Sequence, residues 1–195
     1  STTLQLLAVL DKWTQSLDDH SPIDVIYMDY QKAFDKVPHK RLLSKLQSYG
    51  ISGNVLGWIE SFLVGRSQKV VVNGSESSSR PVTSGVPQGS VLGPVLFVIY
   101  INELPDLVDS DMFLFADDTK LFRAITDPSD RDALQRDLDK VMQWSEEWLL
   151  KFNVSKCAAL PIVSPRAAVP ELEYSLSEGS ILEVSHQEKD IGVII

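Results

Sequence analysis

The chain has 195 residues, 44% of them hydrophobic, and a formal net charge of −9 at pH 7. That length suffices for the core of one domain, for which roughly 150 residues is the usual size. A single cysteine, Cys157, excludes an internal disulfide framework and suits a reducing compartment, so an intracellular address, cytoplasmic or nuclear, is expected. In chain order, Pro22 to Met28 is a β-branched, largely apolar strand that runs into a carboxylate, Asp29. Lys36 to Tyr49 reads as a helix with Pro38 in its first turn, Leu42, Leu46 and Tyr49 on one face, and Gly50 at its end. Gly53 to Val64 is a second helix with Val55, Ile59 and Phe62 inward, and Lys69 to Thr83 a hairpin with a serine loop. Ser84 to Ser90 is a Gly/Pro-punctuated loop, followed by a buried helix over Val91 to Val108 with Pro94 in its first turn. Met112 to Phe115 and Thr119 to Phe122 form a hairpin with Asp117 and Asp118 at its tip. Ser129 to Asp132 resembles a capping box that opens a helix to about Lys151, with Leu134, Leu138, Val141 and Trp148 as its buried stripe. Trp144 and Trp148 are read as core packing rather than base-stacking platforms. The sum is an α+β layout, a sheet backed by helices.

The paired acids carry the chemistry. At an effective dielectric of 20, two charges about 4 Å apart repel by roughly 4 kcal/mol. One carboxylate must therefore protonate or a cation must neutralise the pair, and a hard divalent ion such as Mg²⁺ suits oxygen ligands. A plain turn is the alternative, since Asp is common there. Asp29 sharpens the choice: if its strand pairs with the hairpin, Asp29, Asp117 and Asp118 converge at one end of a sheet. Such a cluster can hold two ions about 3.5–4 Å apart for in-line phosphoryl transfer. Adjacent strand residues face opposite ways, so the turn must re-aim one acid, with Asp117 as principal ligand and Asp118 as the weaker. In the Ser84–Ser90 loop, Gly85 and Gly89 permit close backbone approach and Gln88 offers donors and an acceptor; a plain loop before a core helix is the alternative. His20, His39 and His186 have no cysteine partners, which argues against zinc. The longest apolar run, Val91 to Ile101, has 11 residues where a bilayer span needs about 20, and no leader pattern precedes it, so no membrane role is expected.

Tyr27 to Val37, Ser84 to Pro94 and Phe115 to Thr119 resemble, in this order, three motifs of the reverse transcriptases of non-LTR (LINE-type) retrotransposons. The likeness extends through Trp144, Trp148, Asn153 to Cys157 and Glu188 to Val193. It implies the palm of a right-hand polymerase, with an antiparallel sheet backed by helices. It also implies RNA-directed DNA synthesis, in which a primer 3′-hydroxyl attacks the α-phosphate of a dNTP with two Mg²⁺ ions, Mn²⁺ being a possible substitute. RNA template, DNA primer and dNTPs are the partners implied. By the same resemblance Asp29, Asp117 and Asp118 are metal ligands and the Tyr30 backbone helps hold a metal. Phe34 lies under the incoming sugar and excludes a 2′-hydroxyl, unless its ring turns into the core. Gln88 and Gly89 contact nucleotide and template, Lys156 protonates the pyrophosphate leaving group, and Glu188 to Val193 begins the hairpin that grips the primer.

The first residues, Ser1 to Leu7, resemble the middle of a family motif, and the chain stops inside a strand-like run at Ile195. One reverse transcriptase domain over 1–195 is expected: a fingers remnant at 1–20, a palm core at 21–160, and the start of the primer-grip region at 161–195. Most of the fingers, the thumb and an endonuclease would then belong to a longer polyprotein. Net charge argues against a nucleic-acid binder, which is usually basic. The distribution softens this, because residues 29–69 hold seven Lys/Arg against three acids while 103–147 hold 13 acids against five bases. The first block is read as the face along nucleic acid. Two rivals stay open: an inert remnant that binds nucleic acid or protein, and another two-metal palm enzyme such as a nucleotidyl cyclase, to which the Gln88-Gly89 loop lends no support.

Overall fold

A computed structural model describes residues 2–165, 167–177 and 180–195. Ser1 of the expected fingers remnant, and positions 166, 178 and 179 of the expected 161–195 region, lie outside the described residues. The α-helices among them run Thr2–Asp18 (α1), Ala33–Lys36 (α2), His39–Ser48 (α3), Gly53–Leu63 (α4), Leu92–Ile101 (α5) and Ser129–Glu147 (α6). The main sheet is built from Ile23–Met28 (β1), Asp111–Phe115 (β2), Asp118–Ala124 (β3), Ala158–Ile162 (β4) and Glu183–Val184 (β5). Within the one expected domain, contacts separate two compact units, residues 1–31, 103–147 and 151–195 in the first and 32–102 and 148–150 in the second.

The first unit holds the sheet, in the order β5-β4-β1-β3-β2. β1 is central and pairs antiparallel with β3 and β4, as its largely apolar, β-branched sequence favours. One pairing departs from a purely antiparallel sheet: β5 runs parallel to β4. Ile23 and Val25 point to one face, where they join Val9 and Trp13 of α1 with Phe122 and Leu160. Trp13 meets Phe122 edge-on at 5.7 Å. The expected fingers remnant is thus a helix covering the sheet. On the opposite face Asp24 is fully buried, accepting from Arg131 Nε at 2.9 Å and Tyr174 Oη at 2.7 Å.

α6 begins two residues earlier in its capping than the sequence suggests. Asp127 Oδ1 accepts the Ser129 N–H at 2.9 Å, Pro128 takes the first turn, and Asp130 Oδ2 reaches back to the Thr126 and Asp127 N–H groups at 2.9 and 3.0 Å. The buried stripe is Leu134, Leu138, Val141 and Trp144. Trp148 is not in it, because the helix stops at Glu147 and Leu149 takes a left-handed φ of 57°. The Thr126 hydroxyl, then Arg123, hold the Asp130 carboxyl well below its ordinary value of 3.8. A depressed carboxylate contributes stability above the unfolded value, and loses it as pH falls through the folded one. Asp130→Asn is accordingly expected to cost about 1 kcal/mol at pH 7, the usual worth of a helix cap, with melting temperatures that converge on the parent's in strong acid.

In the second unit Leu42 and Leu46 of α3, Ile59 and Leu63 of α4, and Leu96, Phe97 and Tyr100 of α5 are buried. Pro38 is the N-cap of α3 rather than part of its first turn, and Tyr49, one residue past its end, is exposed, as is Val55 in the first turn of α4. The helix expected over 91–108 ends at Ile101, since Pro105 lacks an N–H and its ring would strike the Ile101 carbonyl. That helix is buried on one side only, with Val91, Val95 and Val98 exposed. The serine-rich hairpin turns at Asn73-Gly74, where both φ values are positive, between Val71–Val72 and Ser75–Glu76; Ser67–Gln68 then pairs with Arg80–Pro81. Lys45 is buried, donating to the Tyr100 carbonyl at 2.6 Å with its ammonium 3.7 Å from the Trp148 ring centroid. Trp148 therefore serves packing, as expected. Among the described residues no helix is long and apolar enough to cross a membrane.

Candidate active site

Antiparallel pairing of β1 with β3 places Met28 opposite Thr119. Asp29 and Asp118 are the next residues outward on these neighbouring strands, at the same end of the sheet. The β2–β3 hairpin pairs Phe115 with Asp118, so the turn is Ala116-Asp117, with Ala116 at a left-handed φ of 53°. Of the two acids expected at its tip, Asp117 lies in the turn and Asp118 opens the strand.

On its other side Asp29 is fixed by the segment before β4. Its carbonyl accepts the Asn153 N–H at 2.7 Å, and its own N–H points to Cys157 Sγ at 3.5 Å. Burial pushes the Cys157 thiol up to about 11, so it stays protonated and inert here. Tyr30 follows, bridged to Phe152 and stacked on its ring at 4.5 Å. The Lys156 ammonium stands 3.5 Å from Asp29 Oδ2, both side chains being partly exposed.

A cavity of about 360 Å³ opens at this end of the sheet. Asp29, Asp118, Thr119 and Lys156 line it, and the Glu188–Ile191 segment forms its far wall. Lys189–Asp190 and Val193–Ile194 form the hairpin expected there, turning through Ile191 and Gly192 at φ 47° and 90°. Asp117 is not among the residues lining this cavity. Asp190 was not singled out as a functional residue, yet its buried carboxylate pairs with buried Lys120 directly beside the cavity.

Partial burial, then the carboxylates of Asp117, Asp190 and Asp29, raise Asp118 above its ordinary value, against the pull of Lys120. Asp117 and Asp29 are thus each close enough to act on the Asp118 carboxylate. Among the described residues, however, no three His, Cys, Asp or Glu side chains are arranged to hold a metal ion. One oxygen of Asp29 already faces the Lys156 ammonium. The donor set itself, all carboxylate, suits a hard divalent cation, and an added positive charge would relieve the strain on Asp118.

The second unit carries the remaining expected residues. Phe34 is half-buried and stacks on Phe97 of α5 at 4.7 Å, which leaves part of its ring open. Its backbone is held by the Gly/Pro loop: the Val86 N–H donates to the Phe34 carbonyl at 2.7 Å, and the Gly85 N–H to that of Val37 at 2.8 Å. Gly85 has φ 89°, and a Cβ there would lie 2.7 Å from Asp35 Cα, so only glycine permits this approach. A Cβ on Gly93 would meet the Pro87 carbonyl at 2.3 Å. Ser90 caps α5 by accepting the Gly93 N–H at 2.9 Å. Gln88 and Gly89 are exposed at the loop tip.

The sequence matches the family "Reverse transcriptase (RNA-dependent DNA polymerase)" over residues 10–178. The chain belongs to the reverse transcriptase family. It is 32% identical over 203 residues to the RNA-directed DNA polymerase from mobile element jockey of Drosophila funebris, and 32% identical over 208 residues to the probable RNA-directed DNA polymerase from transposon BS of Drosophila melanogaster. Each alignment covers 100% of this chain and 22% of the relative. A retrotransposable element R2 polyprotein of Popillia japonica is 35% identical over 81 residues, covering 42% of this chain and 13% of its own. These relatives place the reverse transcriptase among those of non-LTR retrotransposons. In structure it resembles telomerase from Candida tropicalis in complex with a fragment of telomeric RNA, with a TM-score of 0.61 and 13% identity over 83% of this chain and 30% of that one. That likeness shows the fold, a reverse transcriptase palm of mixed helix and sheet.

Proposed function

We propose that the chain is the catalytic palm segment of a mobile-element RNA-directed DNA polymerase, which adds dNTPs to a DNA primer on an RNA template. The observation that carries this reading is the position of Asp29 and Asp118 at one end of the paired β1 and β3, with Asp117 in the adjoining turn. Asp29, Asp117 and Asp118 hold two Mg²⁺ ions, with Mn²⁺ a possible substitute, and the Tyr30 backbone assists. When bound, the metal lowers the pKa of the attacking primer hydroxyl and offsets charge on the phosphate oxygens. Lys156, freed from Asp29, donates a proton to the departing pyrophosphate. Gln88 and Gly89 contact nucleotide and template, and the 188–193 hairpin steadies the primer end. The chain spans about a fifth of its relatives' length, so other parts of a longer polyprotein act with it.

Primer extension on RNA and DNA templates, with Mg²⁺ or Mn²⁺, tests the reading. Extension lost in Asp117→Asn is the expected result; unchanged extension would refute the assignment. Phe34, backed by Phe97, is the residue that excludes ribonucleotides in this reading, by setting its ring against the sugar's 2′ position. Phe34→Val is expected to raise ribonucleotide over deoxynucleotide use by about tenfold. An unaltered ratio in competition assays would remove the steric role.

A further inference from the structure

Phe34 sits in a helix too short to hold itself. α2 has four residues, a single turn, entered through Lys32 at a left-handed φ of 51° and left at Val37. One turn fixes several dihedrals for very few hydrogen bonds, so it needs support from outside. Ser84 to Val86 supply that support, three successive residues donating to three carbonyls in and just after α2. Ser84 Oγ reaches the Asp35 carbonyl at 2.8 Å, while the Gly85 and Val86 N–H groups take those of Val37 and Phe34. The backbone under the ring is therefore placed by the loop as much as by its own helix.

The loop in turn is held at one atom, the Gly85 carbonyl oxygen. His39, the first residue of α3, donates to it from Nε2 at 2.9 Å, and Arg66, three residues past α4, donates from an Nη at 2.8 Å. A carbonyl oxygen has two lone pairs and no proton, so each donor takes one and His39 Nε2 carries its hydrogen. The Arg66 Nη, 3.4 Å from that nitrogen, is a second donor on the same acceptor rather than its partner. Arg66 is itself fixed, because its Nε donates to the carbonyl of Leu63, the last residue of α4, at 2.8 Å. His39 and Gly85 are buried and Arg66 half-buried, so water does not readily replace these bonds. The Gly85 carbonyl and the Val86 N–H belong to one planar peptide group. Fixing the oxygen therefore fixes the direction of the N–H, which points at the Phe34 carbonyl at 2.7 Å. Two helices thus act on Phe34 through a single peptide.

We infer that His39 and Arg66 are positioning residues for sugar selection, holding the Gly85–Val86 peptide and through it the ring of Phe34. The inference rests on the sugar-excluding reading of Phe34 above and deepens it. Hydrogen exchange of the full chain is the first test. In His39→Phe, which keeps bulk but loses the donor, the Gly85 and Val86 amides should exchange about tenfold or more faster than in the parent. Arg66→Lys, which lacks the fork that serves two carbonyls, should do the same, and it carries the test if His39→Phe fails to fold. Leu46 and Ile59, within α3 and α4, should keep their protection in both. Competition between ribo- and deoxynucleotides in primer extension is the second test. Both variants should raise the ribonucleotide share by about threefold or more, short of the tenfold expected of Phe34→Val. A merely structural role would lower the use of both sugars alike. In a Phe34→Val background the same substitutions should add nothing, since the ring they position is gone. His39→Gln, which restores a donor, should bring exchange and sugar ratio back toward the parent's. Parent-like exchange at both amides would overturn the inference, as would an equal rise in the Phe34→Val background. So would a sugar ratio that Phe34→Val changes and neither variant does. Failure of the sugar reading is distinct: Phe34→Val itself then leaves the ratio unaltered, and the selective role of His39 and Arg66 falls with it. A parent chain that extends no primer ends the polymerase reading and this role together.

Discussion

Asp190→Ala is expected to cost the fold about 3–5 kcal/mol, the usual penalty for stranding one member of a buried ion pair. Both side chains of the Lys120–Asp190 pair are only 2% exposed. Without Asp190, the buried Lys120 ammonium loses its hydrogen-bonded partner and keeps the Asp118 carboxylate in electrostatic reach. Since domains of this kind are stable by only about 5–15 kcal/mol, the loss should be plain in urea denaturation. Lys120→Met alone should be similarly harmful, because it strands the carboxylate instead. The double replacement Lys120→Met, Asp190→Leu should recover most of the loss, as packed hydrocarbon replaces two charges that were costly to desolvate. A single variant that loses under 1 kcal/mol, or a double variant no better than the singles, would show that the pair does not hold this structure together. The consequence reaches the site, because Asp190 ties the 188–194 hairpin to the strand that begins with Asp118. Loosening the pair should therefore weaken the far wall of the cavity even where the sheet survives.

That pair also marks where sequence reading ran out. β1 was legible because a largely apolar, β-branched run has few alternatives to a central strand, and Asp117-Asp118 because two acids side by side need a reason. Convergence of the three acids required the 23–29 strand to pair with the 112–122 hairpin, and the register shows that pairing. Lys120 gave no such signal. A lysine in a strand is normally an outward residue, and its partner lies 70 positions away, beyond any local periodicity. Likewise, Asp24 in the middle of β1 looked like one polar residue in an apolar run. It is a buried acid whose Oδ2 accepts from both Arg131 and Tyr174, residues far away in sequence. Helix ends failed for local reasons: Trp148 lay on a four-residue spacing that a left-handed Leu149 cut short, and Tyr49 fell just beyond α3. The motif loop was legible as a loop. Its effect on Phe34 was not, because the clamp depends on backbone hydrogen bonds to residues some fifty positions away.

Asp29→Asn is expected to lower primer extension by about a thousandfold or more, since positioned charge at a phosphoryl-transfer site is worth several kcal/mol and each 1.36 kcal/mol is a factor of ten. The amide keeps the shape of the side chain, and the Asn153 and Cys157 contacts of residue 29 are made by its backbone, so the fold should melt within a few degrees of the parent. What changes is charge, and Lys156 allows that charge to be read twice. In the parent, the ammonium 3.5 Å from Asp29 Oδ2 competes with any divalent cation for the same oxygen. Lys156→Ala should therefore tighten Mg²⁺ binding, seen as a larger rise of melting temperature per increment of Mg²⁺, while Asp29→Asn should reduce that rise. Extension should fall in both variants, in Lys156→Ala by about 10²–10⁴-fold if its proton goes to the leaving pyrophosphate. The opposed thermal responses with a shared loss of extension separate a ligand from a proton donor. Should Lys156→Ala bind Mg²⁺ no better than the parent and extend primers as fast, the ammonium would be a surface charge resting on a neighbour. Asp29 would then have to hold its metal unopposed.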